Sequence, residues 1–269
     1  MHDIQEKDIE DMKLFDLTGK VAIVTGSSRG IGRAIAEAYA EAGARVVISS
    51  RKQPACDEVA TAINARYDDE RAISIAASIS DKAALQALVD QTRERFGRID
   101  ILVCNAASNP HYGPLTTITD EQFRKIFENN VLASHWLITM VAPEMKERNE
   151  GSIIIVSSIG GLKGSDVIGA YNISKAADFQ LVRNLALEFG GHNIRVNAIA
   201  PGFIRTDFAR ALWEDPEAEA ALQRATPLGR IGEPIEIAGA AVFLASDAGS
   251  YMTGQSIVID GGITIKQAG

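Results

Sequence analysis

The chain predicts an α/β fold, a doubly wound parallel sheet of seven strands with helices on both faces. Three observations carry that expectation. Short apolar runs alternate along the chain with longer stretches of helical period, joined by short links. Parallel strands need such crossing connections, which are usually helices. The strand-like runs are continuously apolar rather than alternating, as in strands covered on both faces. The first of them, Val21-Ala22-Ile23-Val24, passes directly into a glycine-rich turn that opens a helix. No shift of composition marks a boundary, so residues 18–269 read as one domain behind a polar extension at 1–17.

Composition narrows the function. The 269 residues are 46% hydrophobic and 23% charged, the balance of a globular α/β domain. A formal net charge of −8 lacks the basic footprint that nucleic acid requires. No apolar run reaches the length of a membrane span. Asp3, Glu6, Asp8, Glu10 and Asp11 make the N-terminus acidic, the opposite of a targeting leader. Cys56 and Cys104 lie far apart, and His2, His111, His135 and His192 are scattered, so no metal-ligand spacing arises. A cytoplasmic protein without a structural metal is expected.

In chain order, Leu14, Phe15 and Leu17 are candidates to dock the extension on the body. After the first strand comes Thr25-Gly26-Ser27-Ser28-Arg29-Gly30-Ile31-Gly32, then a helix over Arg33–Glu41 closed by Gly43. Gly26 allows the tight turn, Gly30 lets the backbone approach a pyrophosphate, and Gly32 lets helix pack on strand. The helix N-terminus then faces the anion, as in a Rossmann-type sheet. Strand two is Arg45–Ser49, followed by a helix over Asp57–Arg66 and strand three over Ala72–Ala76. Lys82–Phe96 reads as helix and Ile99–Cys104 as strand four. A long helix spans Glu121–Met145, with Pro143 placed to bend its end. Ser152–Val156 is strand five, Ala170–Glu188 a helix and Ile194–Ala198 strand six. Thr206–Pro227 carries Phe208, Leu212 and Trp213 between acidic and alanine-rich stretches and reads as a lid. A helix over Glu233–Ser246 and a seventh strand over Ser256–Ile259 complete the alternation.

Chemistry concentrates on Ala170-Tyr171-Asn172-Ile173-Ser174-Lys175. Tyr171 and Lys175 stand four apart and so share one face of their helix. A free tyrosine ionises near pH 10, too high for proton exchange at neutral pH. An ammonium about 4 Å away, at an effective dielectric near 20, stabilises the phenolate by roughly 4 kcal/mol. That corresponds to about three pKa units and brings the phenol near pH 7. Such a spacing also occurs in ordinary solvated pairs, so its weight depends on its surroundings. Strands four, five and six should deliver Asn105-Ala106-Ala107, Ser157-Ser158 and Pro201-Gly202 at their carboxyl ends, where open α/β sheets bind ligands. Ser158 can hold a carbonyl oxygen while Tyr171 gives it a proton, or it can simply cap a strand end. Asn130, inside the long helix, makes sense if buried and holding a water or a backbone carbonyl; Asn129 beside it could serve equally.

The cofactor's identity turns on the end of strand two. An NAD site usually places an acid there to hold the ribose 2′-hydroxyl, whereas this chain has Ser49-Ser50-Arg51-Lys52. Arg51, with Arg29 from the glycine turn, suits a 2′-phosphate; the alternative is a solvated basic turn. NADP(H) is expected over NAD(H).

Over roughly residues 17 to 262 these motifs together resemble the short-chain dehydrogenase/reductase family. The glycine motif matches Thr25-Gly26-x-x-x-Gly30-x-Gly32, and the catalytic serine, tyrosine and lysine match Ser158, Tyr171 and Lys175. The family's helical asparagine matches Asn130 rather than Asn129, and its proline-glycine turn matches Pro201-Gly202-Phe203-Ile204-Arg205-Thr206. Segments such as Ser49-Ser50-Arg51-Lys52-Gln53 are most similar in appearance to an NADP-dependent carbonyl and retinol reductase branch known from animals, although the chain ends Lys266-Gln267-Ala268-Gly269, without that branch's peroxisomal tail. Two departures stand out: Cys104-Asn105-Ala106-Ala107 replaces the common Asn-Asn-Ala-Gly, and Ser78 replaces the aspartate that touches adenine.

The resemblance implies roles. Tyr171 would exchange a proton with the substrate oxygen and Ser158 would position that oxygen. Lys175 would lower the phenol's pKa and hold the nicotinamide ribose, and Asn130 would hold a water in a proton relay beyond it. The cofactor would touch Gly26, Ser28, Arg29, Gly30, Ile31 and Gly32 in the turn, then Ser50, Arg51, Ser78, Ile79, Asn105, Ala106 and Ala107. Tyr171, Lys175, Pro201, Gly202, Ile204 and Thr206 would complete its site. The substrate would be a ketone, aldehyde or secondary alcohol, against walls at Ser108–Tyr112 and Ile159–Gly164. Phe203 and Trp213 suggest an apolar pocket, and His111 is a candidate for a polar contact or a plain loop residue. A 3-oxoacyl-thioester reductase shares every catalytic residue, and a non-catalytic NADP-binding sensor could use the same fold. A homotetramer is the family expectation.

Overall fold

The computed structural model describes residues 13–266. Seven strands are present: β1 (Val21–Thr25), β2 (Arg45–Ser49), β3 (Ala72–Ser74), β4 (Ile101–Cys104), β5 (Gly151–Val156), β6 (Ile194–Pro201) and β7 (Ser256–Ile259). They form one sheet in the order β3-β2-β1-β4-β5-β6-β7, with every pairing parallel. The helices are α1 (Gly30–Glu41), α2 (Gln53–Asn64), α3 (Lys82–Phe96), α4 (Asp120–Phe127), α5 (Ala133–Arg148), α6 (Gly169–Phe189), α7 (Pro216–Ala225) and α8 (Pro234–Ala245).

The continuous apolar runs work as expected. All five residues of β1 and all six of β5 are buried, because successive side chains point to opposite faces and both faces are covered. On one face Ala22, Val24, Val46, Ile48 and Ile154 pack with Ile35 and Tyr39 of α1, Val59 of α2 and Ile237 and Leu244 of α8. On the other, Ile23, Val47, Leu102, Ile153 and Ile155 meet Leu85 and Leu88 of α3, Leu137 and Val141 of α5, and Phe179 and Val182 of α6. The strand order reverses on either side of β1, and that switch opens a crevice at the strands' carboxyl ends.

Several boundaries differ from expectation, each for a local reason. α1 begins at Gly30 rather than Arg33, so the third motif glycine, Gly32, is inside the helix. α2 begins at Gln53 rather than Asp57, because Pro54 pre-organises its first turn. β3 stops at Ser74 and β4 starts at Ile101, while β6 runs on to Pro201. The long helix is not continuous: a π-helical turn, Glu128–Leu132, separates α4 from α5. With Pro143 inside it, α5 runs past the expected end at Met145 to Arg148 and closes on Asn149 at φ 51°. The expected lid segment contains a further helix, α7, capped by Asp215 with Pro216 in its first turn. Leu17 docks as anticipated, 1% exposed, with its N–H on the carbonyl of Ala42, whereas Leu14 and Phe15 stay exposed. Most of the expected N-terminal extension, 1–12, and the end of the tail, 267–269, lie outside the described residues. No described helix is long and apolar enough to cross a membrane.

Candidate active site

The carboxyl ends of β1, β4, β5 and β6 open into one cleft of about 910 Å³. Its floor begins at the glycine-rich turn. Gly26 (φ 67°) and Gly30 (φ 57°) occupy left-handed backbone conformations that favour glycine. A Cβ on Gly32 would lie 2.5 Å from the carbonyl oxygen of Gly26, so helix and strand could not approach this closely with any larger residue. The Thr25 hydroxyl accepts the N–H groups of Asn105 and Ala106 at 3.0 and 3.1 Å, and Asn105 Nδ2 donates to the carbonyl of Thr25 at 2.9 Å. These bonds lock the turn after β1 to the end of β4. A pyrophosphate fits the cradle so formed, with the α1 N-terminus behind it.

Most residues expected to touch a cofactor line this cleft: Gly26, Ser28, Arg29, Gly30, Ile31, Ser50, Arg51, Ile79, Asn105, Ala106, Ala107, Tyr171, Lys175, Pro201, Gly202, Ile204 and Thr206. Gly32 and Ser78 are not among its lining residues. Ile79 and Ser80 form the surface beside Ser78, whose hydroxyl accepts the N–H of Ser80 at 3.3 Å. Ala107 lines the cleft, so its extra methyl is accommodated. Arg51 forms no ion pair among the described residues, whereas Arg29 meets Asp207 at 3.3 Å across the mouth.

Ser158, Tyr171 and Lys175 converge at the other end of the cleft. Ser158, in extended backbone just after β5, accepts the N–H of Gly160 at 3.0 Å and so caps the following turn. The capping role expected of this serine is thus present. Phe208, in the segment expected to form a lid, tilts against Tyr171 with ring centroids 6.0 Å apart, and Phe203 lines the same cleft. Trp213 turns away from the cleft: its indole N–H donates to the carbonyl of Thr206, and Arg205 lies over its ring. His111 is also outside the cleft, with Nε2 3.3 Å from the carbonyl of Pro114.

The electrostatics of Tyr171 correct the simple pair estimate. Burial pushes its phenol above the ordinary tyrosine range, against the pull of Lys175, and Asp178 pushes it the same way as burial. The Lys175 ammonium is 5.7 Å from the ring centroid and donates instead to the carbonyl of Val156 at 3.0 Å and to Asp178 Oδ2 at 3.2 Å. Its charge is shared rather than spent on the phenol alone, so Tyr171 stays protonated at neutral pH in this state. Burial works against the lysine's own charge, but Asp178 and then Tyr171 outweigh it and hold Lys175 above the ordinary lysine range.

Asn130 is buried, 2% exposed, and its amide makes three hydrogen bonds to protein groups. Oδ1 accepts the N–H of Ser108 at 2.8 Å, and Nδ2 donates to the carbonyl of Ser108 at 3.1 Å and to Ser174 Oγ at 3.0 Å. Its side chain therefore clamps the loop after β4 to α6. Asn129 donates to Ser108 Oγ at 2.8 Å and accepts from Ser80 Oγ at 2.9 Å, and it is the asparagine that lines the cleft. Both asparagines lie within the π-helical turn Glu128–Leu132 and both bond to Ser108.

Sequence reasoning passed over three residues. Asp207 partners Arg29, Asn172 lines the cleft, and Asp178 pairs with Lys175. Only Asp178 left a signal, as an acid one helical turn after Lys175.

A family model described as enoyl-(acyl carrier protein) reductase matches residues 26–264. Dehydrogenase/reductase SDR family member 4 of Oryctolagus cuniculus is 43% identical over 249 residues, covering 91% of this chain and 94% of that protein. A 7α-hydroxysteroid dehydrogenase solved with NADH and 7-oxo glycochenodeoxycholic acid superposes with a TM-score of 0.88 at 38% identity, covering 93% of this chain and 96% of that one. A gluconate 5-dehydrogenase from Burkholderia cenocepacia, solved with NADP and tartrate, gives 0.89 at 32% identity, covering 94% and 98%.

Proposed function

Because the chain belongs to the short-chain dehydrogenase/reductase family and is an oxidoreductase by that membership, we propose that it is NADP(H)-dependent. Its substrates on this reading are ketones or aldehydes and the corresponding secondary or primary alcohols. One observation carries the proposal: Ser158, Tyr171 and Lys175 share a cleft with a glycine-rich phosphate cradle and two arginines. NADP(H), when bound, supplies or accepts the hydride at the carbon bearing the reacting oxygen. The protein's part is then positioning and proton movement. In reduction the Tyr171 O–H gives its proton to the substrate oxygen while the Ser158 hydroxyl donates a hydrogen bond to the same atom. In oxidation Tyr171 takes the proton back. Lys175 places a fixed cation below the phenol, and Phe203 and Phe208 give the reacting end apolar surface.

The preference for NADP(H) is supported by Ser49-Ser50-Arg51 at the end of β2, where an acid would favour the free 2′-hydroxyl, and by Arg29 across the mouth. The deciding experiment compares NADPH and NADH in steady-state reduction of ketones, aldehydes, quinones, and acetoacetyl and enoyl thioesters. The thioesters are included because the matching family model is named for acyl-carrier chemistry. Tyr171→Phe is expected to lose about 10²- to 10⁴-fold in kcat, the usual worth of a positioned acid. Equal efficiency with both cofactors would refute the NADP(H) reading, and tight NADPH binding without turnover would point to a sensor. By the same family relation we propose a homotetramer that uses the exposed Leu132, Ile173 and Leu187 near α5 and on α6.

A further inference from the structure

Beneath the acid–base pair lies a charge that the reaction as described does not use. Asp178 follows Lys175 by one turn of α6, is 0% exposed, and accepts the ammonium on Oδ2 at 3.2 Å. Its Oδ1 is buried with no hydrogen-bond partner. The surroundings are those of the sheet–helix core, with Phe179 and Val182 on the same helix and Cys104 on β4. An acid in such a place costs stability relative to an apolar side chain, so its presence asks for a reason. The ammonium of Lys175 is 3% exposed, and its other protein acceptor is a neutral carbonyl, that of Val156. A buried lysine supported only by neutral groups tends to lose its proton.

We propose that Asp178 is a positioning residue: its carboxylate anchors the Lys175 ammonium at the base of the cleft and keeps it charged beneath Tyr171. This rests on reading Tyr171 and Lys175 as the acid–base pair. The titratable groups facing the lysine are Asp178 and Tyr171 from α6 and Cys104 from β4, while Ser157 at the end of β5 donates its hydroxyl to the lysine's main-chain carbonyl at 2.8 Å. Burial pushes the Cys104 thiol up to about 12 and the Tyr171 phenol above its ordinary range, so both are neutral near pH 7. Burial pushes the Asp178 carboxyl up as well, against the pull of Lys175. Asp178 is thus the one group of the three able to supply a negative charge in the working range.

The test reads the lysine directly. Full-length protein carrying labelled lysine is titrated by NMR between about pH 6 and 11, with the Lys175 resonance assigned through Lys175→Arg. In the unmodified protein Lys175 should remain charged past the ordinary lysine value of about 10.4. In Asp178→Asn, which keeps the shape and removes the charge, its ionisation should fall by about two pH units or more. The alkaline limb of kcat for carbonyl reduction should move to lower pH with it, and Asp178→Glu should move both partly back. Identical Lys175 titrations in the two proteins would overturn the proposal. So would a lysine that already deprotonates below its ordinary value in the unmodified protein, a result available even if Asp178→Asn does not fold. The titration needs no substrate, so it stands apart from any failure of the turnover assay.

Discussion

The ion pair between Arg29 and Asp207 joins the phosphate cradle to the first turn of the lid, and it occupies a guanidinium proposed to receive the 2′-phosphate. Asp207 also pairs with Arg210 at 2.8 Å, and these two cations hold its carboxyl below the usual range. Both partners are well exposed, so the pair is weak and easily exchanged for a phosphate. Asp207→Ala should therefore tighten NADPH modestly, by about two- to fivefold in Kd, and leave NADH unchanged. Fluorescence titration with the two cofactors measures this, and an equal change for both would remove Arg29 from the 2′-phosphate site. Much at this scale was legible in the sequence. Gly26, Gly30 and Gly32 are demanded by backbone geometry inside one short turn, and Tyr171 and Lys175 meet through helix periodicity alone. The pairs Arg29–Asp207 and Asn130–Ser108 were not legible, because they join residues far apart in the chain whose approach depends on the finished fold.

Among the elements, α8 shows how a helix start responds to acid. Glu233 and Glu236 form a reciprocal capping box there, and Glu236 also pairs with Arg230. Arg230 first, and the N–H of Glu233 next, draw the Glu236 carboxyl down from 4.5 to about 2. A depressed carboxyl adds stability that is complete above its unfolded value and fades as pH falls through its folded one. Glu236→Gln should thus lower Tm by about 1–3 °C at pH 7, and the gap should close between about pH 4.5 and 2. Calorimetry across that range checks it; a gap independent of pH would assign the loss to packing. The elements hidden from sequence reasoning share a cause. The π turn at Glu128–Leu132 has no local signature, and its Asn129 and Asn130 take partners on Ser108, outside the helix. α7 did carry a local signal, Asp215 followed by Pro216, but the acidic and aromatic residues around it read more readily as a mobile cover.

For the whole molecule, parallel strands place all their carboxyl ends on one edge, which is why four strands contribute to a single cleft. The opposite face of α6 leaves Ile173 and Leu187 in solvent, which the proposed tetramer would cover. Light scattering at micromolar concentration should report about four times the 28.8 kDa chain mass. A monomer would contradict that assembly. The hydrogen bonds that Asn105 and Ala106 donate to the Thr25 hydroxyl also bear on how the protein is made. They join positions about 80 apart in sequence, so the cradle closes only after the end of β1 has met the end of β4. Long-range parallel pairing is slow to form. In refolding, helical signal should return first and NADPH binding last, so a nascent chain acquires its cofactor as a mark of completed folding rather than as a template for it. Stopped-flow circular dichroism beside cofactor fluorescence would separate the two, and simultaneous recovery would remove the ordering.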